Sequence, residues 1–375
     1  METNCKPVFV LISPKNRTAY NFRGELLLEI KKAGYAVYVT GPNRIDVEKI
    51  EALGATFCEI PNDKNGINVL SDLRYLLSLY RLFKKLKPRI TLGYTIKPVI
   101  YGSIAAWMAK VLSINSMITG AGYLFISTSF KAKVLKIIAF NLYKLGLKAS
   151  GNVIFQNKDD REEFINHGLV KKEKTYIVNG SGVNMEKFKL EPLPEKITFF
   201  MLSRAMYSKG VREYLQAAEI VKKQYPDVRF MLLGAVENLQ DSMKQSEIDG
   251  YISKGIIDYF GETSDVARYY AMTSVYVLPS YREGTPRTAL EAMAVGRPVI
   301  TTDTPGCRET VIDNVTGFLV PVKEVNKLTE KMIWFIEHPK EIFNMGIASY
   351  NFCKEKFDVE KVNQQMYNIL QISFN

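Results

Sequence analysis

Short runs rich in β-branched and aromatic residues alternate along this chain with longer segments whose apolar residues recur every three or four positions. The short runs predict strands at Val8–Ile12, Ala36–Thr40, Thr56–Ile60, Arg89–Tyr94, Asn115–Ile118, Val153–Gln156 and Thr175–Val178. The longer segments predict helices at Tyr20–Ala33, Leu70–Leu86, Val99–Leu112, Phe130–Lys148 and Asp159–His167. Such alternation implies a parallel sheet covered by helices on both faces. The rhythm then breaks: Gly180, Gly182, Pro192 and Pro194 punctuate a mixed-charge stretch that reads as a linker over 181–194. It restarts with strands at Thr198–Ser203, Arg229–Gly234, Ile257–Phe260, Val275–Leu278, Pro298–Thr301 and Gly317–Val320. The C-terminal end is helical only, with apolar spacing in Lys327–Ile336 and Val359–Leu370. The expected architecture is α/β: two tandem doubly wound, Rossmann-like domains, 1–180 and 195–357, facing a cleft. The helix at about 358–375 is free to pack back on the first domain.

Composition narrows the class. With 375 residues, 47% apolar and 24% charged, the chain is a folded two-domain protein rather than a disordered one. Cys5, Cys58, Cys307 and Cys353 are scattered, with no metal or redox spacing, which points to a reduced cytoplasmic setting. No signal-peptide pattern is seen at the start. The longest apolar stretches, Val99–Leu112 and Val134–Leu147, are too short or carry lysine, so no membrane crossing is expected.

Charge changes the picture more. The net charge is +11, yet residues 1–190 hold 29 Lys and Arg against 15 Asp and Glu, while the rest holds 21 against 24. No acidic residue occurs between Asp72 and Asp159, where 14 basic ones do. A long segment of one sign points to an anionic partner. On the helix Phe130–Lys148, Lys133, Lys136, Lys144 and Lys148 fall on one face around Phe140, with Val134, Leu135, Ile138, Leu142 and Leu145 opposite as the core side. That basic face fits peripheral docking on anionic lipid, and no nucleic-acid motif accompanies it.

Candidate chemistry gathers in the second half. Strand Val275–Leu278 runs into the turn Pro279–Gly284, and Pro286 suits the first position of a helix reaching Ala294. That turn presents backbone N–H groups at a positive helix terminus, which suits phosphate or sugar oxygens. Glu283 in the turn and Glu291 in the helix can grip two different sets of hydroxyls on one ligand. Upstream, Arg204 and Lys209 follow the first strand of the second domain and can neutralise a diphosphate without a metal ion.

These pairs, together with the runs Ala292–Val299, Gly306–Thr310 and Asn314–Val320, resemble family 4 retaining glycosyltransferases of the GT-B fold. More narrowly, they resemble bacterial enzymes that act on undecaprenyl-diphosphate-linked saccharides. The resemblance implies that Arg204 and Lys209 hold the donor diphosphate, that Glu291 binds the ribose and that Glu283 binds the donor sugar, with the backbone around Gly284, Thr285, Pro286 and Arg287 completing that pocket. It places Gly261 to Thr263 beside the base, with uridine favoured. On the acceptor side Thr119, Gly120 and the following Ala121–Gly122 turn are candidates, with Arg23 and Lys15 for a phosphate. Relatives often carry a glycine-rich loop after the first strand and a cleft histidine; this chain has Ser13–Thr18 there, and only His167 and His338, both read as structural.

The function so implied is transfer of a hexose or N-acetylhexosamine, with N-acetylgalactosamine favoured, from a UDP-sugar to a polyprenyl-diphosphate-linked saccharide at the cytoplasmic membrane face. No metal or other cofactor is expected. UDP-sugar hydrolysis or epimerisation on the same fold, and a non-catalytic membrane scaffold, are the competing readings.

Overall fold

The structure, a computed structural model, describes residues 6–62, 68–120 and 130–372, with the backbone alone for 130–136. The chain divides into two compact units, residues 1–181 with 362–375, and residues 182–361.

The first unit runs β1 (Val8–Ile12), α1 (Asn16–Lys32), β2 (Ala36–Gly41), α2 (Val47–Glu51), β3 (Thr56–Glu59), α3 (Val69–Leu86) and β4 (Ile90–Tyr94). It continues with α4 (Ser103–Met108), β5 (Ser113–Ile118), α5 (Phe130–Ala149), β6 (Asn152–Phe155), α6 (Lys158–Asn166) and β7 (Thr175–Ile177). The seven strands are parallel, in the order β3-β2-β1-β4-β5-β6-β7. A strand buried on both faces must be apolar throughout, and β1 is: Phe9, Val10 and Leu11 are fully buried.

Two helices depart from the sequence expectation. The segment predicted as Val99–Leu112 forms one π turn, Pro98–Gly102, before α4, which stops at Met108. Lys110 adopts a left-handed φ of 61°, and Val111 N–H donates back to Ala106 O at 2.9 Å, a closure that leaves Leu112 outside the helix. On α5 the buried face differs from the one drawn by helical spacing. Tyr143 and Leu147 are buried, and Phe140 packs on the same cluster with its ring edge-on to His167 at 5.1 Å. Ile138 and Leu145, expected inside, are exposed. The buried side is the one whose aromatic rings meet partners, Tyr143 edge-on to Phe164 at 5.4 Å between centroids.

The second unit runs β8 (Thr198–Leu202), α7 (Val211–Gln224), β9 (Arg229–Leu233), α8 (Gln245–Ser253), β10 (Asp258–Tyr259), α9 (Ala267–Ala271) and β11 (Val275–Leu278). It continues with α10 (Arg287–Ala294), β12 (Val299–Thr302), β13 (Gly317–Val320), α11 (Val325–Glu337) and α12 (Pro339–Lys356). Its six strands are parallel, in the order β10-β9-β8-β11-β12-β13. The stretch 182–194, within the segment expected as a linker over 181–194, is part of this unit. Val183 and Phe188 are buried in its core, and the buried Arg297 donates to Glu191 O at 2.9 Å and Pro192 O at 2.7 Å. Desolvation lowers that guanidinium to about 10. A planar fork of donors satisfies several loop carbonyls at once, so the segment is clamped rather than loose.

The last helix, α13 (Val359–Leu370), returns to the first unit. Met366, Tyr367 and Leu370 are buried in the core that contains Leu26, Leu27 and Ile30, and Asn152 donates to Ile369 O at 2.9 Å. Among the described residues no helix is long and apolar enough to cross a membrane.

Candidate active site

In the second unit the sheet order reverses between β8 and β11. Loops leaving the carboxyl ends of two such strands turn opposite ways and open a crevice, the position where α/β sheets hold ligands. The β8 loop carries Arg204 and Lys209; the β11 loop carries Glu283. Tyr281 N–H donates to Ser208 O at 2.9 Å, and Ser280 Oγ to the same oxygen at 3.2 Å, so the two loops are tied together. Gly210, with φ of 74°, closes the first loop against Pro279, where a Cβ would overlap the proline carbonyl. This brings Lys209 Nζ to 2.5 Å from Glu283 Oε1.

A third loop, after β12, backs the turn. Glu283 N–H donates to Pro305 O at 3.0 Å, and the Thr302 and Thr304 hydroxyls both donate to Ser280 O. At Gly306, φ of 79°, a Cβ would overlap the carbonyl oxygens of Glu283 and Gly284. Cys307 lies buried beneath, its thiol pushed up to about 11 chiefly by that burial.

Pro286 caps α10 rather than opening it; the helix begins at Arg287, because Pro286 keeps an extended ψ of 107°. One turn on, Glu291 is buried. Tyr270 Oη donates to its Oε2 at 3.0 Å, and Arg287 Nε to its Oε1 at 3.1 Å. Burial raises this carboxyl above its usual range, while the Arg287 charge and then the Tyr270 hydroxyl oppose the shift. Thr285 is half-buried, with its hydroxyl on Gly284 O at 3.0 Å. Arg204 is exposed and meets Glu237 at 2.8 Å. Gly234, after β9, donates to Gly261 O at 2.5 Å, joining the loops of β9 and β10, and Thr263 Oγ1 accepts from Asp265 N–H at 3.2 Å. Three cations, Arg204, Lys209 and Arg287, thus meet three carboxylates along one edge of the sheet. A ligand bearing a diphosphate and hydroxyls can exchange with them: phosphate for carboxylate on the cations, hydroxyl for cation on the carboxylates.

The first unit has its own reversal, between β1 and β4. There the Ser13 and Tyr94 hydroxyls lie 2.5 Å apart and Thr18 Oγ1 2.8 Å from Tyr94 Oη. Arg23, expected to face an acceptor phosphate, is instead only 3% exposed, its guanidinium 5.8 Å from the Tyr94 ring centroid. It sits mid-way along α1 on the face that packs inward, and does not open to solvent. Lys15 is half-buried just before α1. Thr119 is half-buried and Gly120 exposed, beyond β5; Ala121 and Gly122 lie outside the described residues, as do the side chains of Lys133 and Lys136. Lys144 and Lys148 are exposed, whereas Phe140 is turned inward. His167 Nδ1 lies 2.7 Å from Glu163 O and His338 Nδ1 2.8 Å from Trp334 O, both at helix ends.

Sequence reasoning passed over Tyr270 and Glu237, which join the site only through folding. Neither carries a local signal: Tyr270 is one of many tyrosines, and Glu237 sits in a loop with no spacing relation to Arg204.

The family model for glycosyl transferases group 1 matches residues 183–352, and that for glycosyl transferase 4-like proteins matches 10–157. The chain belongs to the family 4 glycosyltransferases. This glycosyltransferase is 26% identical, over 89% of its length and 91% of the relative's, to the N,N'-diacetylbacillosaminyl-diphospho-undecaprenol alpha-1,3-N-acetylgalactosaminyltransferase of Campylobacter jejuni. It is 28% identical, over 73% of each chain, to the UDP-Gal:alpha-D-GlcNAc-diphosphoundecaprenol alpha-1,3-galactosyltransferase of Escherichia coli. In fold it is similar to Anabaena HepE in complex with UDP and glucose, with a TM-score of 0.78 at 17% identity, covering 97% of this chain and 99% of that one. A glycosyltransferase of Rickettsia africae superposes with a TM-score of 0.79 at 17% identity, covering 98% of each chain. The shared architecture is GT-B: two parallel-sheet Rossmann-like domains.

Proposed function

We propose that this glycosyltransferase moves a hexose or N-acetylhexosamine from a UDP-sugar to a polyprenyl-diphosphate-linked saccharide, with retention of the anomeric configuration and without a metal ion. The observation that carries the reading is the Lys209–Glu283 contact at the strand-order reversal, with Arg204 on the same loop as the lysine. Arg204 and Lys209 receive the donor diphosphate and hold the charge that grows on it as the glycosidic bond breaks, the office a metal fills elsewhere. Glu283, released from Lys209, accepts from a hydroxyl of the donor sugar. Glu291, oriented by Tyr270 and Arg287, accepts from the ribose, and the backbone N–H groups from Gly284 to Arg287 complete the pocket. Gly261 and Thr263 flank the base. The leaving diphosphate departs on the face from which the acceptor oxygen attacks, and one of its oxygens takes the acceptor's proton.

The names of the Campylobacter and Escherichia relatives support a prenyl-diphosphate-linked acceptor, and the first of them favours N-acetylgalactosamine as the sugar. The Anabaena complex supports UDP as the carrier nucleotide. With such an acceptor the enzyme works at the cytoplasmic face of a membrane. Both histidines are spent on helix-end carbonyls, which speaks against epimerisation, a reaction that needs positioned acid and base groups.

The test is a panel of UDP-sugars with synthetic prenyl-diphosphate saccharides, products read by mass and anomeric configuration by NMR. Arg204→Ala and Glu283→Ala should each lower turnover about 100-fold or more with an unchanged circular dichroism spectrum. Wild-type rates in both variants would overturn the assignment.

A further inference from the structure

We infer that the outward side of α3, α4 and α5 is a membrane-contact surface that seats this enzyme on an anionic bilayer. In the first unit α4 packs against α3 on one side and α5 on the other, forming one helical layer over the sheet. Apolar side chains belong on the sheet side of such a layer, yet this one carries them outward. On α3, Leu70 and Leu73 are 70% and 49% exposed; Trp107 near the end of α4 is 65% exposed and Leu112, in the segment after it, 79%; on α5, Ile137 and Leu145 are 63% and 55%. Val69, Leu77, Met108 and Ile138 on the same helices are exposed too, whereas exposed apolar residues such as Leu239 and Phe343 in the second unit stand singly, which is ordinary for a soluble surface. Apolar side chains gathered on adjacent elements are not, and they mark a contact site.

Charge decides which partner. Arg74, Arg81 and Lys84 on α3, Lys110 after α4, and Lys144 and Lys148 on α5 are exposed on the same elements. From residue 73 to 158 the sequence has no Asp or Glu. The one carboxylate in α3, Asp72, is turned inward, 2.6 Å from Lys97 Nζ and 3.0 Å from Tyr101 Oη. A self-associating face would set these like charges against each other, and a protein partner of this size would be met with a mixed rim. Anionic headgroups instead match the cations while the apolar side chains enter the acyl boundary. Basic residues alone, as on the α5 face drawn from the sequence, give weak, salt-sensitive binding; the exposed leucines and tryptophan add a component that salt does not screen.

The surface draws its purpose, though not its chemistry, from the lipid-linked acceptor proposed above, and the two can fail separately. Sedimentation with phosphatidylglycerol-containing vesicles, against phosphatidylcholine vesicles, tests it without any sugar substrate. The wild type should bind the anionic vesicles, with part of the binding surviving high salt. The variant Leu73→Glu/Trp107→Glu/Leu145→Glu should bind at least about tenfold more weakly, while UDP affinity by calorimetry and transfer to a water-soluble short-chain acceptor stay at wild-type levels. Wild-type protein that ignores anionic vesicles, or a variant that binds them equally, overturns the inference. So does a dimer that the three glutamates dissociate with vesicle binding unchanged. Vesicle binding in an enzyme that transfers to no prenyl-linked acceptor would overturn the acceptor reading and leave the surface standing.

Discussion

Glu291 shows how one residue's role depends on its neighbours. Its carboxylate must be ionised to accept from ribose hydroxyls, yet burial raises its titration above the usual range, so donor affinity should fall, as pH drops, at higher pH than for an exposed glutamate. The same shift bears on stability. A carboxyl raised in the folded state binds more protons there than when unfolded, so its contribution weakens as pH rises from its unfolded value through its raised one. Tyr270 and Arg287 hold the charged form. Removing a hydrogen bond to a charged group costs about 1.5–3 kcal/mol. Tyr270→Phe should therefore raise the donor KM about tenfold or more, change kcat little, and move the acidic limb of kcat/KM upward. A purely structural tyrosine would lower the melting temperature without moving that limb.

At the scale of elements, three loops share one shelf. The β8, β11 and β12 loops meet through Ser208, Ser280 and Pro305 carbonyls, and Gly210 and Gly306 are the points where no side chain fits. Gly306→Ala forces a Cβ toward the backbone of Glu283 and Gly284 in a left-handed conformation, at a cost of about 1–3 kcal/mol. Donor affinity measured by calorimetry should drop about tenfold, because the turn that carries Glu283 must shift, while the secondary-structure content of the protein stays the same. Undiminished affinity would show that the shelf yields without cost. Within the run Gly306–Thr310 that carries part of the resemblance, Gly306 lets the Glu283 turn lie against the β12 loop.

At the scale of the molecule, the first unit is completed by the end of the chain. Met366, Tyr367, Leu370 and Ile372 are nearly or fully buried. Burying one such side chain contributes about 1.5–3 kcal/mol, so together they rival the whole stability of an ordinary domain, about 5–15 kcal/mol. Truncation after Lys361 should leave the first unit open to protease digestion and lower its melting temperature. UDP binding to the second unit should persist. A truncated protein with an unchanged melting profile would contradict this accounting.

Periodicity and residue type alone determined the alternation, most strand positions and the two doubly wound sheets, and residue type with the family resemblance singled out the four charged residues of the candidate site. Each of these is a local pattern: strands buried on both faces are continuous apolar runs, and Arg204, Lys209, Glu283 and Glu291 stand directly after strands or on the next helix. Tertiary structure decided the rest. The face that α5 buries followed from the ring contacts of Phe140 and Tyr143 with residues far along the chain, not from its own spacing. The 182–194 stretch, rich in turn residues, became part of a domain because a distant arginine satisfied its carbonyls. Tyr270 reached Glu291, and Glu237 reached Arg204, across gaps that no sequence period encodes. A side chain's neighbours along the chain set which element it joins; the energy of burying it beside partners far away sets which way it points.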